Sequence, residues 1–270
     1  MAEPVRNTRN SRPDTPKQRR PDKEPGITIL RWVKGPDGTE KQEWLPMTPE
    51  LFLNPEVGDQ MAQGTRHSET GLQITDLLRK YFASASDVMV LFDAKHRFGP
   101  EFAGPSPDIS VVRGIQRKGE DRESFNVSKE GVIPCFVLEV VSPLDSRIRK
   151  TDLVAKVDLY QRVGISEYLI FDSTLRDRRF RLIGHRLDGF GRYRLIEPDA
   201  EGRLFSESLG LWFQISADGE RVLIFDPSGQ RLLTSIEEQN RADREAEARM
   251  AAEAEVARLK AEIERLRGGG

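Results

Sequence analysis

Hydrophobic and polar positions recur along this chain with a period that changes from one segment to the next, and the changes mark its elements. Residues 27–44 alternate apolar and polar side chains around the turn Gly35-Pro36-Asp37-Gly38, the pattern of a hairpin or an extended lead-in. Thr48 and Pro49 then suit the cap and first turn of a short helix. The spacing of Leu72, Leu78 and Tyr81, with Ile74 and Leu77 beside them, predicts a helix over residues 68–82 capped by Ser68. Strands are predicted at 88–92, at 109–112 and at 135–141, where the run Cys-Phe-Val-Leu-Glu-Val-Val reads as a buried central strand. A helix over 151–163 ends at Gly164, and a further buried strand spans 167–171. Alternating stretches at 178–186, 191–196 and 211–215 are expected to extend the sheet as antiparallel strands. This order predicts an α/β fold, a mixed central sheet flanked by helices.

Two appendages flank that domain. Residues 1–25 hold five prolines among Arg and Lys with almost no large apolar side chains, the composition of a disordered basic arm. The folded domain is expected over 26–230. From 236 to 267 the chain turns to Ala, Glu and Arg, a long C-terminal helix in which Val256, Leu259, Ile263 and Leu266 occupy successive heptad core positions. Upstream the same register meets Ala252, Arg249, Glu245 and Ala242, so a weak coiled coil and a solvated lone helix both remain open. The formal charge of -2 gives no global sign of a polyanionic partner, so a nucleic-acid surface must come from local clusters. A single cysteine, Cys135, excludes an internal disulfide framework and fits a cytoplasmic location. No run of apolar residues is long enough for a membrane helix.

Glu139 carries the most chemical information, because it interrupts an apolar strand and a buried carboxylate needs a partner. Asp108 follows Pro107 at the start of the preceding predicted strand, and two carboxylates on adjacent strands can chelate one hard divalent ion, magnesium or manganese. Taken alone, Asp108 also fits a turn residue after proline. Lys156 falls three residues after Leu153 and four before Tyr160, on the apolar stripe of its helix, where carboxylates would recruit it. Its bland alternative is an exposed i, i+4 pair with Asp152. Trp32, Trp44 and Trp212 have no base-stacking spacing and are expected to be packing residues.

The segments Pro107-Asp108-Ile109-Ser110-Val111-Val112 and Leu138-Glu139-Val140-Val141-Ser142-Pro143 resemble the two signature strands of the Uma-two restriction-endonuclease family, within the PD-(D/E)XK nuclease superfamily. Asp152, Lys156, Tyr160, Gly164, Glu167-Tyr168 and Asp172 match the helix and strand that follow there, and Arg66-His67-Ser68 matches the approach to the first helix. The superfamily lysine usually stands two residues after the glutamate, where this chain has Val141; in the Uma-two pattern a lysine of the next helix takes its place, and Lys156 is the matching residue.

The resemblance implies a restriction-endonuclease-like fold and a magnesium-dependent endonuclease acting on DNA, with Asp108, Glu139 and Lys156 catalytic. It places the metal on Asp108, Glu139 and the Val140 carbonyl. Glu69 is a possible accessory carboxylate or an exposed surface residue, and His67 a phosphate contact or a helix cap. Arg147, Arg149 and Lys150 are candidate contacts to the DNA backbone, or a solvated loop. A homodimer is the expected assembly. The competing reading is a catalytically inactive nuclease fold that binds DNA or a protein partner through its C-terminal helix.

Overall fold

A computed structural model describes residues 28–36, 38–53, 60–61, 65–99, 104–141, 150–172 and 181–267. The basic arm expected at 1–25 therefore lies outside the described residues. The lead-in is a hairpin of β1 (Thr28–Lys34) and β2 (Glu40–Pro46), and its turn depends on Gly38 at φ 79°, a conformation glycine adopts without strain. Helix α1 (Pro49–Leu53) follows, capped by Thr48, whose hydroxyl accepts the Leu51 N–H at 3.1 Å. A short strand β3 (Gln60–Met61) pairs with β1.

Helix α2 (Thr65–Tyr81) starts three residues before the expected Ser68. Ile74, Leu77 and Leu78 are buried as the periodicity requires, but Leu72 is 55% exposed. Gly71 brings this helix against β4 (Val88–Phe92): a Cβ there would stand 2.8 Å from the Phe92 ring. The short strands β5 (His96–Arg97) and β7 (Phe125–Asn126) pair with each other, and helix α3 (Val127–Glu130) follows the second. Between them lies β6 (Ile109–Arg113), and after them β8 (Phe136–Val141). A π-helical turn (Thr151–Ala155) runs into α4 (Lys156–Val163), which ends at Gly164 in a left-handed cap, φ 84°. Then come β9 (Glu167–Asp172), β10 (Arg181–Leu187) and β11 (Tyr193–Leu195).

The main sheet has six strands in the order β11-β10-β9-β8-β6-β4; β8 and β9 run parallel and the other neighbours are antiparallel. The expected mixed sheet is present, with one correction. Residues 211–215 form β13 (Leu211–Ile215), which does not extend the main sheet but pairs with β12 (Leu204–Ser206) and β14 (Val222–Phe225) in a separate three-stranded sheet. Alternation identifies a strand but not its neighbours, and here Phe213 stacks on Phe136 across the two sheets, ring centroids 5.5 Å apart. One face of the main sheet, through Phe136, Leu138 and Val140, packs on α2 and this small sheet. The other, through Val137 and Val141, packs on Leu159 and Tyr160 of α4.

The last helix, α5 (Ser235–Arg267), begins in a capping box: Thr234 Oγ1 accepts the Glu237 N–H at 3.2 Å and the Glu237 carboxylate accepts the Thr234 N–H at 2.9 Å. Asp76 of α2 accepts the Ser235 N–H at 2.9 Å, and Lys80 of α2 donates to the Leu233 carbonyl at 2.8 Å, which anchors the first turn. From Glu238 onward every described residue is exposed. Among the described residues no helix is long and apolar enough to cross a membrane. Trp44, expected to pack, is 58% exposed on the hairpin, whereas Trp212 packs on Phe205.

Candidate active site

Strict alternation along β8 sends Val137, Glu139 and Val141 to the α4 face, so one carboxylate enters an otherwise apolar layer. Glu139 is 2% exposed. Its Oε1 accepts a hydrogen bond from the Tyr160 hydroxyl at 2.8 Å and stands 2.8 Å from the Lys156 ammonium. Lys156 in turn lies 2.9 Å from Asp152 Oδ1, and its ammonium is 4.1 Å from the centre of the Phe52 ring.

The helix carrying these groups is not the regular α-helix expected from residue 151. The Lys156 N–H bonds to the Thr151 carbonyl, five residues back, and this wider turn precedes the α-helix proper. Asp152 and Lys156 are both buried there, 3% and 1% exposed, while Val154 between them is 53% exposed. The Asp152–Lys156 pair is thus buried, not on the surface, and also includes Glu139.

Asp108 precedes β6, whose antiparallel register with β8 pairs Ile109 with Leu138 and so sets Asp108 opposite Glu139, on the same side of the sheet. Its Oδ2 accepts the Val140 backbone N–H at 2.7 Å and lies 2.9 Å from His67 Nε2. His67 therefore does not cap α2; it is half-buried and hydrogen-bonded to Asp108, and among the described residues its Nδ1 has no hydrogen-bond partner. Glu69, two residues on, points to the exposed side, because the buried stripe of α2 runs through Thr70, Ile74 and Leu78. Lys150 is exposed just before the π turn, and Arg147 and Arg149 lie outside the described residues.

Burial alone would pull Lys156 down, but Asp152, Glu139 and Asp108 together outweigh it and hold the group above the ordinary lysine range, so it stays an ammonium ion. The acids are less well compensated. Burial, then the neighbouring Glu139, raise Asp108 well above the usual carboxylate range, and burial pushes Asp152 up to about 7 despite Lys156. Burial lowers His67, which favours its neutral form. Three carboxylates face one ammonium in a dry site, and ionisation of all three would leave an excess of negative charge that a divalent cation would relieve. Among the described residues no group of three His, Cys, Asp or Glu side chains is arranged to hold a metal, so any ion here would rest on Asp108, Glu139, backbone carbonyl oxygen and water.

Asp93 adds a further carboxylate that no sequence pattern marks. It follows β4 with φ 46°, an uncommon backbone for a residue with a side chain, and its N–H donates to the Asp108 carbonyl at 2.9 Å. Desolvation, then the Glu139 charge, push its carboxyl up to about 6. In the sequence it looks like any aspartate closing a strand. Tyr160 falls on the helical stripe in the sequence, but its contact to Glu139 depends on a partner across the core and so is visible only in the fold. A separate cleft of about 420 Å³, lined by Arg186, Arg194, Leu195, Phe205 and Trp212 among others, does not include the carboxylates, and its arginines are already paired with Glu167, Glu207 and Asp188.

Residues 50–218 match the Uma2 family model, described as "Putative restriction endonuclease". Among solved structures, a crystal structure of a "putative nuclease belonging to DUF820" from Anabaena variabilis aligns with TM-score 0.39 at 18% identity, over 67% of this chain and 82% of that one. No curated protein sequence matches the chain.

Proposed function

The chain belongs to the Uma2 family, and from that premise we propose that it is a metal-dependent endonuclease that hydrolyses phosphodiester bonds of DNA, with Asp108, Glu139 and Lys156 as its catalytic residues. The observation that carries this reading is the contact of Lys156 with Glu139 at 2.8 Å, on the side of the sheet where Asp108 stands opposite. A lysine of the helix thereby occupies the place beside the glutamate that Val141 cannot fill. Asp108, Glu139 and the Val140 carbonyl would hold magnesium, or manganese, which when bound supplies Lewis-acid polarisation of the phosphate and acidifies water.

The chain's own groups have separable roles. Lys156 remains charged, so it serves as a donor to developing negative charge on the phosphate and not as a base. Tyr160 and Lys156 both hold Oε1 of Glu139, which fixes the rotamer of a carboxylate that would otherwise be free to turn. The Val140 N–H and His67 do the same for Oδ2 of Asp108. His67 thus acts as a positioning residue. Lys150, with Arg147 and Arg149 before it, supplies positive charge for the DNA backbone, contacts that position a substrate without reading its sequence. The single cysteine accords with action in the cytoplasm.

Incubation of supercoiled plasmid with the full chain and magnesium tests the proposal. Nicking that needs the ion and is lost in Asp108→Asn, Glu139→Gln and Lys156→Met is the expected result. Nicking that survives all three substitutions assigns the activity elsewhere.

A further inference from the structure

Beyond its capped and anchored first turn, α5 carries an apolar seam that no other described residue covers. Val256, Leu259, Ile263 and Leu266 are 49%, 46%, 48% and 69% exposed, and no residue of the helix is buried. They follow one another at spacings of three, four and three, which keeps them on one side of the helix. We infer that this seam pairs with the same seam of a second copy, as a parallel two-stranded coiled coil.

Two features of the helix select that occupant and that direction. The a positions are the β-branched Val256 and Ile263 and the d positions are Leu259 and Leu266, a combination that favours two strands over three or four. The flanking g positions are Glu255 and Glu262, and the e positions are Lys260 and Arg267. In a parallel pair each g residue meets the following e residue of the other helix, so Glu255 faces Lys260 of the second copy and Glu262 faces Arg267 of the second copy. An antiparallel pair would set glutamate against glutamate and lysine against arginine on its two flanks, four like-charge contacts in place of four attractive ones. The contact Glu255 makes within its own helix, to Arg258 at 2.6 Å, is solvent-exposed and readily exchanged.

The seam ends where Arg249 takes the next a position and Glu245 the d position before it. Two heptads make a weak, concentration-dependent dimer, not an obligate one. The capping box and the Asp76 and Lys80 contacts give both copies the same helix origin, so parallel pairing holds the two folded domains at the same end of the coil. This inference does not depend on the nuclease reading, because its readout is mass and not activity.

Sedimentation of the full chain over a concentration series tests it. The weight-average mass is expected to rise from 30.7 kDa toward twice that value, and Leu259→Lys with Ile263→Lys is expected to hold it at the monomer value throughout. These side chains contribute nothing to the core, so the variant retains its fold. A chain that stays monomeric at every concentration, or a variant that dimerises like the parent, overturns the proposal. Direction is read by Leu266→Cys: oxidation is expected to give a disulfide-linked dimer absent from the parent, whose Cys135 is the background control. A dimer that forms without that cross-link assigns another surface or an antiparallel pair. Finally, Lys260→Glu with Arg267→Glu, and separately Glu255→Lys with Glu262→Lys, are expected to be monomeric alone and dimeric when mixed; two variants that dimerise alone as well as the parent remove the charge pairing.

Discussion

The hydroxyl of Tyr160 donates to Oε1 of Glu139 at 2.8 Å, across the layer between α4 and the central strand β8. Both residues are essentially without solvent, so the hydrogen bond ties the rotamer of the candidate catalytic carboxylate to the packing of the helix. It stands beside the lysine on the same oxygen and makes Glu139 part of the core as well as part of the site.

Tyr160→Phe keeps the ring and removes that donor. The expected cost is about 1 kcal/mol, or roughly 3 °C in melting temperature. The nicking rate is expected to fall about 10-fold, because the carboxylate loses a fixed orientation. Calorimetry and a plasmid assay on the same preparation check both; an unchanged rate would assign the hydroxyl to stability alone.

Asp152 predicts a dependence on pH. Its folded-state value, about 7, lies above the ordinary 3.8, so the folded chain binds this proton more tightly than the unfolded one. Stability from the protonated form is present below about pH 4 and is lost as pH rises toward about pH 7. Asp152→Asn is therefore expected to flatten the fall in urea-unfolding stability across that window. A profile with the same slope in the variant removes Asp152 as its source.

Lys156→Met leaves Glu139, Asp152 and Asp108 without their ammonium partner. Removing one member of a buried ion pair typically costs about 3–5 kcal/mol. The loss is expected to be largest near neutral pH and to shrink in acid as the carboxylates take up protons, while Lys156→Met combined with Asp152→Asn recovers part of it. Additive losses in the double variant would mean that the two groups do not interact.

Glu167, which the family resemblance also singled out, is a structural residue. Its buried carboxylate accepts the Ser206 hydroxyl, the Glu207 N–H at 2.9 Å and the Ser208 N–H at 3.2 Å, and pairs with Arg186 at 2.8 Å, joining the main sheet to the small one. Glu167→Gln is expected to lower stability by about 3 kcal/mol with nicking per folded molecule retained. Loss of activity at full stability would move Glu167 into the site.

Magnesium binding itself separates the site from its chemistry. The ion is expected to raise the melting temperature of the parent chain, as any ligand of the folded state does. Asp108→Asn is expected to abolish that shift. An equal shift in the variant places the ion elsewhere.

Much of this was open to a reader of the residues alone. The burial of Glu139 follows from its place in the run Phe136 to Val141, because alternation and hydrophobicity leave a residue in a central strand no route to solvent. The stops at Gly164 and Arg267 and the seam of α5 are likewise local facts of spacing. What the sequence could not decide were relations between segments distant along the chain. Register set Asp108 opposite Glu139, a wider helical turn buried Asp152 where a surface pair was equally consistent with the spacing, and packing drew His67 onto Asp108 while turning Glu69 and Leu72 to solvent. Strand alternation at 211–215 was legible, but the choice of a second sheet was not, since it depends on aromatic contacts between Phe213 and Phe136. Periodicity is a property of one segment and fixes which side chains leave water. Which of them meet is settled only when the segments pack, because charge and shape are then balanced against neighbours that no single segment contains.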